Sequence, residues 1–487
     1  MASKNKPTNR KTQGFGVKNL TTEISKAEAL IVRKKWVEAR EVLQDLSQSY
    51  PQQVEILSHL VNVCYELKDF PSYIQACERL VKADPNNSHA HFALAGGYVA
   101  TYHPLLALQT FRHALNRWPN HEKAAETRKL VVELEANIEH ILAEINLAGE
   151  ENLELAILYE RGQAYLEQGE YKKARQVELE LIKQKPDLIS AHNNLSLISF
   201  VEGNLDEAIA TAQRVLDIQP DNIHALSNLT RFYCLKGEVE QAKPFAERLK
   251  ASQAEAWDAW TKKVEAFSYL GDYNSILEIF EQAKASGELK SGRESAVFHH
   301  LVAVAMARLG QIPQARAQWQ QALKQSPGFE LARENLDDLK LPIGQRQGAW
   351  PFNMGNWMNK QTIEELANAL KSNTTKDEQL IAKATERYLA EHPHVAQLIP
   401  ILLDRGDHQA REFAFNLASF AKTPEMLASL RDFALSQSGS DQMRNQAALT
   451  ACEAGLLPRE DVRLWLQGEW QQIHLITPGS PIFSGVR

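Results

Sequence analysis

Cysteine is scarce in this chain: Cys64, Cys77, Cys234 and Cys452 are the four among 487 residues, and no two form a C-x-x-C pair. That excludes a disulfide-stapled secreted fold and fits a reducing compartment, so a cytoplasmic protein is expected. Long apolar runs are missing as well. The most apolar stretches, such as 394–403, are short and broken by Gln397 and Pro400, and the N-terminus lacks an apolar core of signal-peptide length, so neither a membrane span nor a secretory leader is expected. Positive charge is not in excess, because 54 Lys and Arg face 61 Asp and Glu for a net charge of -7. A nucleic-acid partner is therefore not expected, since such binding draws its affinity from Lys and Arg on phosphates. With 23 glycines and 19 prolines the chain is also too poor in both for a low-complexity sequence.

Catalytic signatures are absent too: there is no Gly-rich phosphate loop, no G-x-S-x-G elbow, no H-E-x-x-H and no cysteine cluster with zinc spacing. No enzyme activity, catalytic residue, cofactor or metal site is assigned. His89 with His91, His299 with His300, and His392 with His394 invite a metal reading. Residues adjacent or one apart on a helix point to different faces, however, so these are read as surface or packing histidines. The run Asp404, Arg405, Gly406, Asp407, His408 carries acid and base types but falls where an inter-helix turn needs a cap. Cys64 and Cys77 occupy apolar positions and read as small buried hydrophobes.

What is present is an ordinary folding composition, 44% hydrophobic and 24% charged, on a chain too long for one compact core. Self-similarity resolves the matter. Gly169, Gly203, Gly237 and Gly271 recur at one constant interval, each between segments of helical apolar periodicity, where a tight turn favours a residue without a Cβ. A small residue precedes a proline by twelve positions in Ala39 with Pro51, Ala107 with Pro119, Ala174 with Pro186, Ala208 with Pro220 and Ala315 with Pro327. The alanine lies where two helices cross closely, and the proline ends the second helix.

Gly162, Tyr165, Gly169, Tyr171, Ala174 and Pro186, with Trp36, Ala39, Leu43 and Pro51 near the start, resemble the tetratricopeptide repeat, a helix-turn-helix whose period is the interval between those glycines. The resemblance implies an all-α superhelix without a sheet, with units beginning near Leu20, Val54, Ser88, Leu155, Ile189, Ile223, Trp257 and Ala296. A basic tail, 1–19, is read as disordered. Residues 20–121 form a first array, 122–154 a connecting segment in which 122–147 is one long helix, and 155–341 a second array. Pro244 falls inside a second helix, and 285–293 lengthens one loop. Residues 342–360 form a linker whose Trp350, Phe352 and Trp357 fold back into a groove of the same chain. Residues 361–487 return to helices, with caps at Thr362 and Thr375 and at Thr423 before Pro424. There Asp407, Ala410, Arg411, Ala414 and Ala418 align at a shift of one period with Asp441, Arg444, Asn445, Ala448 and Cys452, a pattern similar to HEAT-type repeats. The end, 473–487, reads as an irregular tail.

Such a fold binds through the first helices of its hairpins. Asn194 and Asn228 are one period apart and stack along that face, with Asn193, Tyr159, Gln163 and Arg231 nearby; Lys262 and Leu301 hold the next positions. An amide offers a donor and an acceptor together and matches a peptide backbone without reading side chains. The row resembles the asparagine ladder of some family members, and neither amide is expected to pack between helices. The carboxylate clamp of the family is not matched, since Tyr159 stands in place of its first lysine. The sequence thus implies a scaffold or adaptor that holds an extended peptide or helix of other proteins. The alternative is a substrate-capturing subunit whose C-terminal region carries lyase-like or transferase-like chemistry.

Overall fold

The computed structural model describes residues 20–145, 147–253, 258–287, 289, 295–358 and 378–475. The basic tail, the caps at Thr362 and Thr375, most of the loop 285–293 and the tail from residue 476 lie outside the described residues. The chain forms two compact units, Met1–Pro186 and Asp187–Arg487.

In the first unit three helical hairpins follow one another: α1 (Leu20–Val32) with α2 (Trp36–Ser49), α3 (Val54–Glu66) with α4 (Phe70–Ala83), and α5 (Ser88–Ala100) with α6 (Pro104–Arg117). Each turn closes in the same way. A backbone N–H just past the first helix reaches back to a carbonyl in its last turns, as in Lys35 N to Leu30 O at 2.9 Å, Asp69 N to Cys64 O at 3.0 Å and His103 N to Tyr98 O at 2.8 Å. The residue before that N–H is left-handed. Glycine fills this place at 169, 203, 237 and 271, as the spacing predicts, but in the first unit Lys34 (φ 56), Lys68 (φ 56) and Tyr102 (φ 58) adopt it. Ala39, Ala107, Ala174, Ala208, Ala242 and Ala315 are fully buried at the helix crossings.

The connecting segment corrects the expectation of one long helix. It is two helices, α7 (Ala124–Ala136) and α8 (Ile138–Glu144), broken at Asn137 with φ -105 and ψ 2. The Asn137 side chain donates to Glu133 O at 2.7 Å, taking a carbonyl that the ladder would otherwise use, which is how asparagine ends helices. The following hairpin, α9 (Leu153–Glu167) with α10 (Tyr171–Gln184), belongs to the first unit. The tie is Glu160, 5% exposed, whose carboxylate accepts from Leu105 N (3.1 Å) and Leu106 N (2.8 Å) in the first turn of α6, where orphan N–H groups favour an acidic partner.

The second unit continues with α11 (Ile189–Val201) and α12 (Leu205–Ile218), α13 (Ile223–Leu235) and α14 (Val239–Ala251), α15 (Ala259–Leu270) and α16 (Tyr273–Ser286), α17 (Ala296–Arg308) and α18 (Ile312–Gln325), then the unpaired first helix α19 (Glu330–Asp338). Helix α14 runs on through Pro244. A segment over 342–358 follows, with one helical turn, α20 (Met354–Trp357), and then α21 (Glu378–Glu391), α22 (Pro393–Arg405), α23 (His408–Ala421), α24 (Pro424–Ala434) and α25 (Asp441–Glu453). These later helices pack on the array. Arg405 of α22, for example, donates to Tyr269 O at 2.8 Å at the end of α15.

The expectation of helices over 361–487 is corrected near the end, where a strand hairpin follows the last helix. Strands β1 (Val462–Leu466) and β2 (Glu469–Ile473) pair antiparallel, with Trp465 opposite Trp470. Their two-residue turn, Gln467 (φ 53) and Gly468 (φ 87), has the double positive φ that matches strand twist. Buried Arg444 bonds Trp465 O through Nε (3.0 Å) and Nη2 (2.8 Å), so the hairpin is docked on α25.

Candidate peptide-binding surface

Within the second unit, the sixth position of successive first helices carries Asn194, Asn228, Lys262, Leu301 and Asn335. At the last of these an amide holds an extended backbone. Asn335, 2% exposed, accepts from Trp350 N at 3.1 Å through Oδ1 and donates to Trp350 O at 3.3 Å through Nδ2. Both backbone groups of one residue are satisfied by one side chain, which is the recognition expected of the asparagine row, made here by the chain on itself. Neighbouring side chains hold the same segment. Asp338 accepts from Gln347 N (2.8 Å) and Gly348 N (3.3 Å), Arg308 Nε donates to Ala349 O (2.9 Å), and His300 Nε2 meets Pro351 O at 3.0 Å.

The tautomer of His300 follows from its other side. Trp319 Nε1–H donates to His300 Nδ1 at 3.1 Å, so the ring proton sits on Nε2 and points to Pro351 O. Burial holds this imidazole down at about 4, and it stays neutral. Burial pushes the Asp338 carboxyl up, opposed by the two N–H groups it accepts from. The aromatics of the segment then fill the apolar space. Phe352 stacks on Tyr269 at 4.2 Å between centroids, and Trp357 lies edge-on to Tyr269 at 5.3 Å. Trp350, Phe352 and Trp357 are 5%, 5% and 1% exposed. On the far side Asp407 accepts from Met354 N at 3.1 Å while its other oxygen caps α23 through Ala410 N at 2.7 Å. Asp407 of the 404–408 run is thus a cap, as the turn reading requires, while Asp404 accepts from Arg308 Nη1 at 3.1 Å and Ser438 Oγ at 2.7 Å.

The sequence-chosen residues are distributed unevenly. Asn194 and Asn228 are 8% and 7% exposed, which corrects the expectation that neither packs between helices. First helices lie directly on one another, α11 on α13 and α13 on α15, so the sixth position falls in the seam. Asn193 Nδ2 donates to Asn222 Oδ1 at 3.2 Å, and Asn222 caps α13 through Ala225 N at 2.9 Å. It joins two hairpins. Arg231 lies over the ring of Phe200 at 4.3 Å and near that of Tyr269 at 5.4 Å, and its Nε is buried without a hydrogen-bond partner. Lys262 Nζ pairs with Glu265 at 3.2 Å. Burial pushes Glu265 up, but Lys262, Arg231 and His224 outweigh it and hold the carboxyl below its ordinary value. Tyr159 and Gln163 belong to the first unit, where Gln163 Nε2 donates to Tyr159 Oη at 3.0 Å.

A pocket of ≈ 770 Å³ in the second unit is walled by Phe200, Leu205, Leu235, Trp357, Val395 and Leu398. It shares Phe200 with the Arg231 stack and Trp357 with the bound segment, and Glu202, Asp206, Glu207 and Lys236 give it a charged side. Sequence reasoning missed Asn335, Asp338, His300 and Arg308. The available signal was the period itself, since Asn335 follows Leu301 by the same interval that separates Asn194 from Asn228.

Comparison with known proteins places these hairpins in a family. Models of the tetratricopeptide repeat match residues 148–189 and 200–262. No curated protein matches the chain. Among solved structures it is similar to a tetratricopeptide repeat protein from Parabacteroides merdae (14% identity, 58% of this chain and 96% of that one, TM-score 0.34). It is also similar to YrrB, described as having an unusual peptide-binding site (17%, 43% and 90%, 0.19), and to the TPR2AB domain of yeast Sti1 in a complex with pHSP90 (15%, 54% and 96%, 0.22). Residues 148–189 and 200–262 are thus similar to tetratricopeptide repeats, within hairpins of one geometry that recur through both units.

Proposed function

We propose that this protein is a non-catalytic cytoplasmic adaptor that holds an extended segment of a partner protein along the first helices of its second unit. One observation carries the reading: Asn335 bonds both backbone groups of Trp350 from the position that Asn194 and Asn228 occupy in their own repeats. A partner segment held there would add its backbone to Asn228 and Asn194, with Arg231 and Lys262 supplying charge. The own segment 347–358 marks the mode of binding, in which main-chain groups are held by side chains and aromatics fill the apolar gaps. Among the described residues no helix is long and apolar enough to cross a membrane.

The test is cross-linking of the full-length chain to a captured partner, read by mass spectrometry, with a synthetic peptide of residues 347–358 as competitor. Cross-links at Lys262 that the peptide diminishes support the reading. Cross-links confined to second-helix lysines such as Lys243 and Lys284, unaffected by the peptide, overturn it.

A further inference from the structure

In the first unit the hairpin of α5 and α6 brings His89 to His121 and Glu122. His89 lies in the first turn of α5, and His121 and Glu122 lie in the turn that follows α6. His121 Nε2 and His89 Nδ1 face each other at 3.2 Å. Glu122 Oε1 is 3.9 Å from the same His89 nitrogen, and the three ligand atoms all lie within 4.8 Å of one another. We propose that His89, His121 and Glu122 form a binding site for one divalent transition-metal ion of zinc type.

The distances carry the argument. Two imidazole nitrogens bound to one tetrahedral ion at about 2.0–2.1 Å stand about 3.3 Å apart, which is the separation already present. Glu122 is 70% exposed on its side chain, and its carboxylate can swing in from 3.9 Å. The donor set is two nitrogens and one carboxylate oxygen, with water in the fourth place, which suits a borderline-soft ion and not calcium or magnesium. The His121 ring is fixed in advance by stacking on Phe92 at 4.3 Å and 11°.

One contact changes on loading. His121 Nδ1 accepts from Lys123 N at 3.3 Å, so without metal the ring proton is on Nε2 and bridges to His89. Coordination through Nε2 moves that proton to Nδ1, with no net proton released, and gives the Lys123 N–H to water. The lost contact is long and exposed, so giving it up costs the site little. His89 and His91 do point apart, as their spacing requires: His91 meets Pro85 O at 3.3 Å. The metal pair is His89 with His121, drawn from the two ends of one hairpin. Loaded, the ion joins the start of α5 to the entrance of α7 and steadies that end of the unit.

The experiment is calorimetric titration of the full-length, chelator-stripped chain with zinc chloride, with thermal melting as a second readout. One equivalent should bind and raise the melting temperature by about 5–10 °C at a hundredfold excess over Kd. His89→Ala should remove the rise and weaken binding at least tenfold. Glu122→Gln should weaken it less, and His113→Ala should change nothing. Both decisive residues are exposed, so neither variant threatens folding. No saturable heat up to millimolar zinc, or one equivalent bound equally well by His89→Ala, overturns the proposal.

Discussion

Replacing Asn335 with leucine keeps the side-chain volume and deletes both hydrogen-bonding ends of the amide. Trp350 N–H and C=O, bonded at 3.1 and 3.3 Å in a position 5% exposed, are left without partners. An orphaned buried group costs on the order of 1–3 kcal/mol, so the segment loses on the order of 2–6 kcal/mol of its hold on α19. The Asp338, Arg308 and His300 bonds and the Phe352 stack remain, so the change is local opening and not global unfolding. Hydrogen exchange read by mass spectrometry over residues 347–358 should accelerate roughly 30-fold or more, and tryptophan emission should shift to the red. Asn335→Asp keeps an acceptor for Trp350 N but loses the donor to Trp350 O, so it should fall between wild type and leucine. Unchanged protection of 347–358 in Asn335→Leu would refute the view that this amide holds the segment.

Three further outcomes follow from the same structure. Lys34→Gly, Lys68→Gly and Tyr102→Gly should each raise stability by about 0.5–1 kcal/mol in chemical denaturation, because the left-handed turn strains a residue with a Cβ by more than glycine's added chain entropy; a loss of stability in all three would contradict this. His300 sits at about 4 in the fold against an ordinary value near 6.5, so the unfolded chain binds more protons between those values. Stability is therefore fully present above pH 6.5 and falls by up to on the order of 3 kcal/mol as pH drops to 4, a slope that His300→Gln should flatten. Glu160→Gln leaves one of the two N–H groups at Leu105 and Leu106 facing an amide donor and should cost about 1–3 kcal/mol, checked by urea unfolding.

The repeat period was legible wherever glycine marked the turn, since a missing Cβ at a left-handed position is a sequence-level signal. The hairpin that turns at Lys34 is legible through Trp36, Ala39 and Pro51, and the one that turns at Tyr102 through Ala107 and Pro119, but nothing in a lysine or tyrosine announces a positive φ. The break at Asn137 was hidden because one asparagine costs little by propensity, and its capture of Glu133 O appears only in three dimensions. The residues that hold the bound segment escaped because the loop after α16 shifts the count by five between Trp257 and Ala296. Once the count resumes, Pro327 closes a unit and Glu330 opens another, which places Asn335 in register with Asn228. Burial of Asn194 and Asn228 was not legible, because the closeness of adjacent first helices is set by side chains on several repeats at once.

The central claim is that amides at the sixth position of the first helices hold a partner's backbone, and its most direct measurement is calorimetric titration of a captured partner segment into wild type and the double variant Asn194→Ala, Asn228→Ala. Both side chains are more than nine-tenths buried, so the double variant should melt lower, and the titration is run well below its transition. Each lost bond to the partner costs on the order of 1–3 kcal/mol, so affinity should fall about tenfold or more, while Lys243→Ala on a second helix should bind as wild type does. Equal affinity of the folded double variant would contradict the account and place recognition outside this row of amides.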